Sequence, residues 1–135
     1  MIWRRRLLLA NGAFLVVVGG VQVVFELAAY FAGAGPYGEI FTESPYAIGW
    51  VEAHGLAFLI GLLLIAVAAR DGRRFWHLFA AAVHTLLGAA NLVFWASFLA
   101  FDMIPMGIAA TAVHFVLVAA HSGAWVVSRD SARVR

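Results

Sequence analysis

Four long apolar stretches, almost free of charge, divide the chain and predict four membrane-spanning helices. They run from about 7 to 32, 45 to 69, 75 to 101 and 103 to 128. A bilayer crossing needs about 20 helical residues at about 1.5 Å each, and every stretch is long enough. The sequence therefore predicts an all-α integral membrane protein, with a single transmembrane domain folded as an up-down four-helix bundle.

Short polar segments mark where the predicted helices begin and turn. Residues 33–44 form the only extended loop, and Ser44 followed by Pro45 is typical of a capped helix start. Asp102 is a candidate N-cap for the fourth span, with Pro105 in its first turn. Because almost nothing separates the third and fourth spans, we expect them to form an antiparallel hairpin.

The cationic residues stand in three short clusters, at the start of the chain and after every second span. Short Arg-rich segments resist translocation, so both termini are predicted to be cytoplasmic in a multi-pass protein of a bacterial inner membrane. The formal charge of +2 then reflects topology and contact with membrane lipid head groups, and no nucleic-acid partner is expected. The clusters are Arg4 to Arg6, then Arg70, Arg73 and Arg74, then Arg129, Arg133 and Arg135.

Composition narrows the candidate chemistry. With 64% hydrophobic and 12% charged residues and a mean hydropathy of +0.94, the chain has the composition of a membrane domain. Cysteine is absent, which excludes thiolate catalysis, disulfide exchange by the protein's own thiols and Cys-ligated iron–sulfur clusters. Candidate chemistry therefore rests on the acids, amides and histidines inside the spans.

Two carboxylates, Glu26 and Glu52, are placed at matched depth near the outer ends of the first two spans. A charge in lipid is costly, so both are expected to face the interior or a wet cavity. Facing carboxyl groups share a proton and suit acid–base chemistry, which makes Glu26 and Glu52 the candidate catalytic residues. The alternative is structural, with each side chain hydrogen-bonded across helices or extended to the head groups.

Polar side chains at helical spacing predict which faces turn inward. Gln22 lies one turn before Glu26, and Asn91 and Trp95 share one side of the third span. Together with His114 as a floor, Gln22, Asn91 and Trp95 are predicted to line an outward-opening pocket. The expected ligand is a lipophilic small molecule such as a quinone, a sterol-like lipid or an amphiphilic amine.

Histidines spaced by heptads on the third and fourth spans suggest a cofactor. His84 and His121 are placed at similar depth, where they could ligate a haem or a pigment. The alternative is hydrogen bonding between helices by neutral imidazole. No metal site is predicted, because H-E-x-x-H is absent and Glu52 and His54 point to opposite faces of one helix.

The layout of the chain combines several features. It is short, it begins with an Arg cluster, and a loop that contains Gly and Pro precedes Gly49-Trp50-Val51-Glu52. An Arg-rich turn follows the second span, and the third span contains glycine. In this layout the chain resembles the DoxX-like family of small four-helix membrane proteins. The resemblance implies the four-helix fold; that family includes a small subunit of a thiosulfate:quinone oxidoreductase. A more distant likeness is to the sterol-isomerase and sigma-2-receptor family, from which no residue is transferred.

Three functional hypotheses follow from the sequence. The first is a bundle that binds a lipophilic small molecule, with the two glutamates as acid and base. The second is a non-catalytic subunit of a larger redox or photosynthetic membrane complex. The third is a small proton-coupled carrier, which would act as a homodimer because four helices are few for a pore.

Overall fold

The computed structural model describes residues 2–70 and 74–133, with side chains described as far as residue 127. Within these residues the chain is all-α, and four of its helices are long and apolar enough to cross a membrane. The predicted class, an all-α protein with four membrane-length helices, is confirmed. The predicted cytoplasmic turn around Arg73 and the side chains of the last Arg cluster (Arg129, Arg133, Arg135) lie outside the described part.

Six helices occupy the described residues, and they fall into two compact units. Unit 1, Met1–Asp71, contains the first three helices, and unit 2, Gly72–Arg135, contains the last three. Within each unit the two long helices run antiparallel. The helices are α1 (Ile2–Ala32), α2 (Gly38–Phe41), α3 (Ala47–Arg70), α4 (Arg74–Val93), α5 (Trp95–Ala100) and α6 (Ile104–Arg133).

The predicted spans agree with the long helices except at two places. The hydroxyl oxygen of Ser44 accepts a hydrogen bond from the amide of Tyr46 at 3.3 Å in the turn just ahead of α3, whose first residue is Ala47. The third span is interrupted, because Phe94 separates α4 from α5. Part of the predicted loop 33–44 is helical, and this short segment is α2.

The two long helices of unit 1 cross at glycines. A Cβ atom added to Gly12 would lie 2.8 Å from the carbonyl oxygen of Gly61. One heptad further along α1, a Cβ on Gly19 would lie 2.7 Å from the carbonyl oxygen of His54. Backbones approach this closely only where side chains are absent, so these heptad-spaced glycines fix the register between α1 and α3.

Side chains and backbone turns close the ends of these helices. The guanidinium of Arg5 donates hydrogen bonds to the carbonyl oxygens of Ala68 at 2.8 Å and Ala69 at 2.5 Å, which are among the last carbonyls of α3. At the other end of the unit, Gly33 has a φ of 59° and its amide donates to the carbonyl of Ala29 at 3.0 Å. Gly33 thus ends α1 in the left-handed conformation that glycine adopts without strain.

The turn before α6 corrects one prediction. Asp102 is not the N-cap of α6, which begins at Ile104; its φ of 53° is left-handed. Its amide donates to the carbonyl of Leu99 at 3.3 Å, and the amide of Met103 donates to that of Phe98 at 2.8 Å. These two bonds form a Schellman motif, so Asp102 ends α5 instead of starting α6.

Small residues and rings bring the helices of unit 2 together. Ala80 and Ala124, on the two long helices, are almost fully buried. Near one end the guanidinium of Arg74 lies 4.9 Å from the centre of the Trp125 ring, a cation–π contact. Near the other end, a Cβ on Gly107 would lie 2.7 Å from the ring of Phe98, so this glycine makes room for α5 against α6.

Candidate functional site

A buried acid lies against a histidine near the end of unit 1 that carries α2. Glu26 has no exposed surface, and Nδ1 of His54 lies 2.5 Å from its Oε1. The side chain of His54 is 24% exposed. The second carboxylate oxygen of Glu26, Oε2, is also buried, and no hydrogen-bond partner for it occurs among the described residues.

The glycine register explains why these two side chains meet. Glu26 follows Gly19 by one heptad, and Gly19 faces the backbone of His54. Helical side chains lean toward the N-terminus of their own helix. Because α1 and α3 are antiparallel, the side chains of Glu26 and His54 lean toward each other and close the gap of one heptad.

A chain of aromatic rings covers the pair on the α2 side. The hydroxyl of Tyr37 donates a hydrogen bond to Oε1 of Gln22 at 3.0 Å. From Tyr37 the ring centres follow at 5.6 Å to Phe41, 5.3 Å to Trp50 and 6.1 Å to His54. The segment between α1 and α3 therefore connects Gln22 to His54 through continuous ring contacts. We call these five residues and Glu26 the capped acid site.

Local backbone geometry holds α2 over the end of α1. Gly35 has a φ of 80°, and a Cβ on Gly38 would collide with the carbonyl of Gly33. The hydroxyl of Thr42 donates to the carbonyl of Gly38 at 2.5 Å. The segment thus folds back tightly on itself, which places Tyr37 and Phe41 inward, where both are buried.

Glu52 does not occupy the place expected for it. The sequence predicted that it would face Glu26, but the carboxylate of Glu26 meets His54, and the side chain of Glu52 is exposed in unit 1. The reason is the helical period: two residues apart, Glu52 and His54 point to opposite sides of α3, and Gly19 selects the side of His54. A catalytic role for Glu52 stays a prediction.

The other predicted ligand-binding residues divide between the units. Gln22 belongs to the capped acid site, whereas Asn91, Trp95 and His114 belong to unit 2, where each is partly buried. Asn91 and Trp95 stand on either side of the helix break at Phe94. Whether these side chains line a pocket for a ligand stays a prediction.

Unit 1 also has a small apolar notch that none of the predicted ligand-binding residues lines. Its volume is about 190 Å³, and it lies between α1 and α3. Its existence follows from two missing side chains, since glycine occupies one position on each helix. The lining residues are Gly20, Val23, Gly55 and Phe58.

Four histidines form a second polar cluster, within unit 2. The Nδ1 atoms of His77 and His121 lie 2.9 Å apart, and those of His84 and His114 lie 3.0 Å apart. The rings of His84 and His121 are nearly parallel, with centres 6.4 Å apart. We call this series the histidine ladder. The sequence predicted that His84 and His121 could ligate a cofactor together, whereas in the structure each of them pairs with another histidine. Cofactor ligation by these two residues stays a prediction.

A metal ion in a protein is held by several His, Cys, Asp or Glu side chains that converge on one point. Among the described residues, no group of three or more His, Asp or Glu side chains converges in a geometry suited to a metal ion.

Comparison of the whole chain with family models, curated proteins and solved structures finds no match. The two polar clusters of the described residues, the capped acid site and the histidine ladder, are the candidate functional sites.

Proposed function

We propose that this multi-pass membrane protein binds a lipophilic small molecule at the capped acid site and exchanges a proton with it through Glu26. One observation carries the proposal: Oε2 of Glu26 is buried and has no hydrogen-bond partner among the described residues. An unpaired carboxylate oxygen in a nonpolar setting is costly. A ligand hydroxyl or amine that donates to Oε2 would satisfy it.

The two oxygens of Glu26 have separate tasks in this proposal. Oε1 is held by His54 at 2.5 Å, which fixes the orientation of the carboxyl group. Oε2 accepts a proton from the ligand, leaving a neutral carboxyl group and a ligand that has lost one proton. The reverse transfer restores both, so the same geometry serves a general base in one direction and a general acid in the other.

The surroundings favour a ligand with a flat, ring-bearing head. The partly buried ring of Trp50 lies beside that of His54, and an aromatic face binds planar apolar groups well. The Gln22–Tyr37 hydrogen bond provides a second polar contact one helical turn from Glu26. A quinol or an aromatic amine combines a flat body with an exchangeable proton, and these are the ligand classes that we propose.

The experiment compares ligand retention in two matched variants. The protein is extracted gently from its native membrane, and its mass is recorded under native conditions. Glu26→Gln keeps the shape of the side chain but cannot accept the proton, so the bound small molecule should be lost. Glu39→Gln, on the exposed side of α2, should retain it.

A titration with a short-chain quinol tests the same site without the native ligand. Wild-type protein and Glu39→Gln should bind the quinol, and Glu26→Gln should not. Equal binding by Glu26→Gln would refute the proposal. A haem, a pigment or a foreign subunit in the native mass would instead support the hypothesis of a complex subunit. The DoxX-like assignment and the bacterial inner membrane remain part of the proposal.

A further inference from the structure

We infer that the histidine ladder is a path for proton transfer along unit 2, independent of the capped acid site. It consists of two Nδ1–Nδ1 pairs in series, His77 with His121 and His84 with His114. Three of the four side chains have no exposed surface at all. A buried row of groups that both donate and accept protons is suited to carrying a proton where water is excluded.

The heptad spacing on both helices makes the pairs repeat. His77 and His84 are seven residues apart on α4, and His114 and His121 are seven apart on α6. In an antiparallel seam this spacing brings the pairs into line, one above the other, about 10 Å apart along the helix axis. The ladder begins within one turn of Arg74, the first residue of α4, and ends near the middle of the helix.

Each pair can pass a proton only in one chemical form. A hydrogen bond between two Nδ1 atoms needs one protonated nitrogen and one free lone pair. When His77 is an imidazolium, its Nδ1 proton moves along the 2.9 Å bond to Nδ1 of His121. His77 is then neutral and His121 carries the charge.

The second transfer joins the two pairs. His121 then releases its Nε2 proton and becomes neutral again, and His84, whose ring centre lies 6.4 Å away, takes up a proton at Nε2. His84 then passes its own Nδ1 proton to Nδ1 of His114. One proton has advanced and no charge stays behind. Rotation of the rings resets the tautomers.

The titratable and charged groups in the described part of unit 2 are mostly histidines. In the described part of unit 2, α4 contributes Arg74, His77 and His84, α6 contributes His114 and His121, and the turn after α5 contributes the exposed Asp102. Asp102 is the only acid among residues 74–127, the part of unit 2 whose side chains the structure describes.

The test measures how fast the ring proton of the His84–His114 pair exchanges with solvent. The full chain, with ¹⁵N-labelled histidine, is placed in lipid vesicles and transferred to D₂O, and the decay of the Nδ1–H signal is followed by NMR. His121→Asn keeps a hydrogen-bonding nitrogen near the Nδ1 position but cannot relay a proton. It should slow the exchange at His84 and His114, and His77→Asn should also slow it.

The direction of the effect separates a relay from a structural role. A variant that only loosens the helix pair would expose the rings and speed up their exchange. Thr85→Ala serves as the control, because the hydroxyl of Thr85 bonds back to the carbonyl of Ala81 and lies outside the ladder. Exchange should be unchanged in this variant. Unchanged or faster exchange in His121→Asn would overturn the inference, as would a stoichiometric metal ion or haem bound to the ladder in the purified protein.

Discussion

Gly12 and Gly61 face each other across α1 and α3 so closely that neither position has room for a methyl group. A Cβ on Gly61 would lie 2.7 Å from the carbonyl oxygen of Gly12 and 2.8 Å from the amide nitrogen of Val16. Both obstacles are backbone atoms, which cannot move aside without shifting a helix. This contact therefore sets the distance between the two long helices of unit 1.

Gly61→Ala should destabilise unit 1. Overpacking of a closely fitted seam costs about 1–3 kcal/mol, which should lower the midpoint of thermal unfolding in detergent micelles. Gly49→Ala, on the same helix, is the matched control because nothing lies within 4 Å of its added Cβ. Alanine is the better helix former, so this variant should be neutral or slightly more stable. A lower midpoint for Gly49→Ala than for Gly61→Ala would contradict the packing described here.

Arg5 should stabilise the end of α3. Its guanidinium satisfies the carbonyl oxygens of Ala68 and Ala69, which have no partner within the helix. Arg5→Gln removes a cation from a helix C-terminus, a change of about 1 kcal/mol. Hydrogen exchange in the last turn of α3 should become faster. Arg6→Gln, an exposed neighbour, should leave that turn unchanged; equal effects in both variants would indicate that only net charge matters.

Asp102→Gly should stabilise unit 2. An L-residue in the left-handed conformation costs about 1–2 kcal/mol, and glycine avoids that cost. Asp102 already belongs to the residue types that tolerate this conformation, so the expected gain in unfolding free energy is about 0.5–1 kcal/mol. Asp102→Val should be destabilising, because a β-branched side chain is strained there. A loss of stability in Asp102→Gly would show that the carboxylate itself makes an important contact.

Tyr37→Phe should loosen the segment that covers Glu26. The variant keeps the ring contact with Phe41 but loses the hydrogen bond to Gln22, which is worth about 1 kcal/mol. Hydrogen exchange of residues 36–42 should become faster, while exchange in the middle of α1 stays the same. Tyr46→Phe, whose side chain is largely exposed, is the control. No difference between the two variants would mean that the hydroxyl of Tyr37 does not hold the segment.

Hydropathy was sufficient to locate the long helices, because length and apolar content are properties of each stretch taken alone. The end of α1 at Ala32 and the turn at Ser44 ahead of α3 followed from local sequence. The role of Asp102 did not, since its conformation depends on where α5 stops. The break between α4 and α5 at Phe94 could not be predicted, because no glycine or proline stands beside it in the sequence.

It was harder to predict which residues contact each other in the capped acid site than to predict which residues are buried there. Glu26 was expected to be buried, but depth alone paired it with Glu52, whereas the contact depends on the rotation of α3 about its axis. The heptad of Gly12, Gly19 and Glu26 was the available signal, because glycines mark the side on which a second helix approaches. In unit 2, similar depth in the membrane predicted that His84 and His121 act together. In the structure His84 pairs with His114, and His121 pairs with His77.

The contrast between a seam of glycines and a seam of imidazoles has a mechanical consequence. Gly12 and Gly61 touch through backbone atoms, so sliding α1 past α3 would drive main chain into main chain. His77 and His121 touch through a hydrogen bond between rings that can rotate, break and form again without moving a helix. One hairpin is therefore stiff and the other compliant, and motion along a seam is expected where the histidines are.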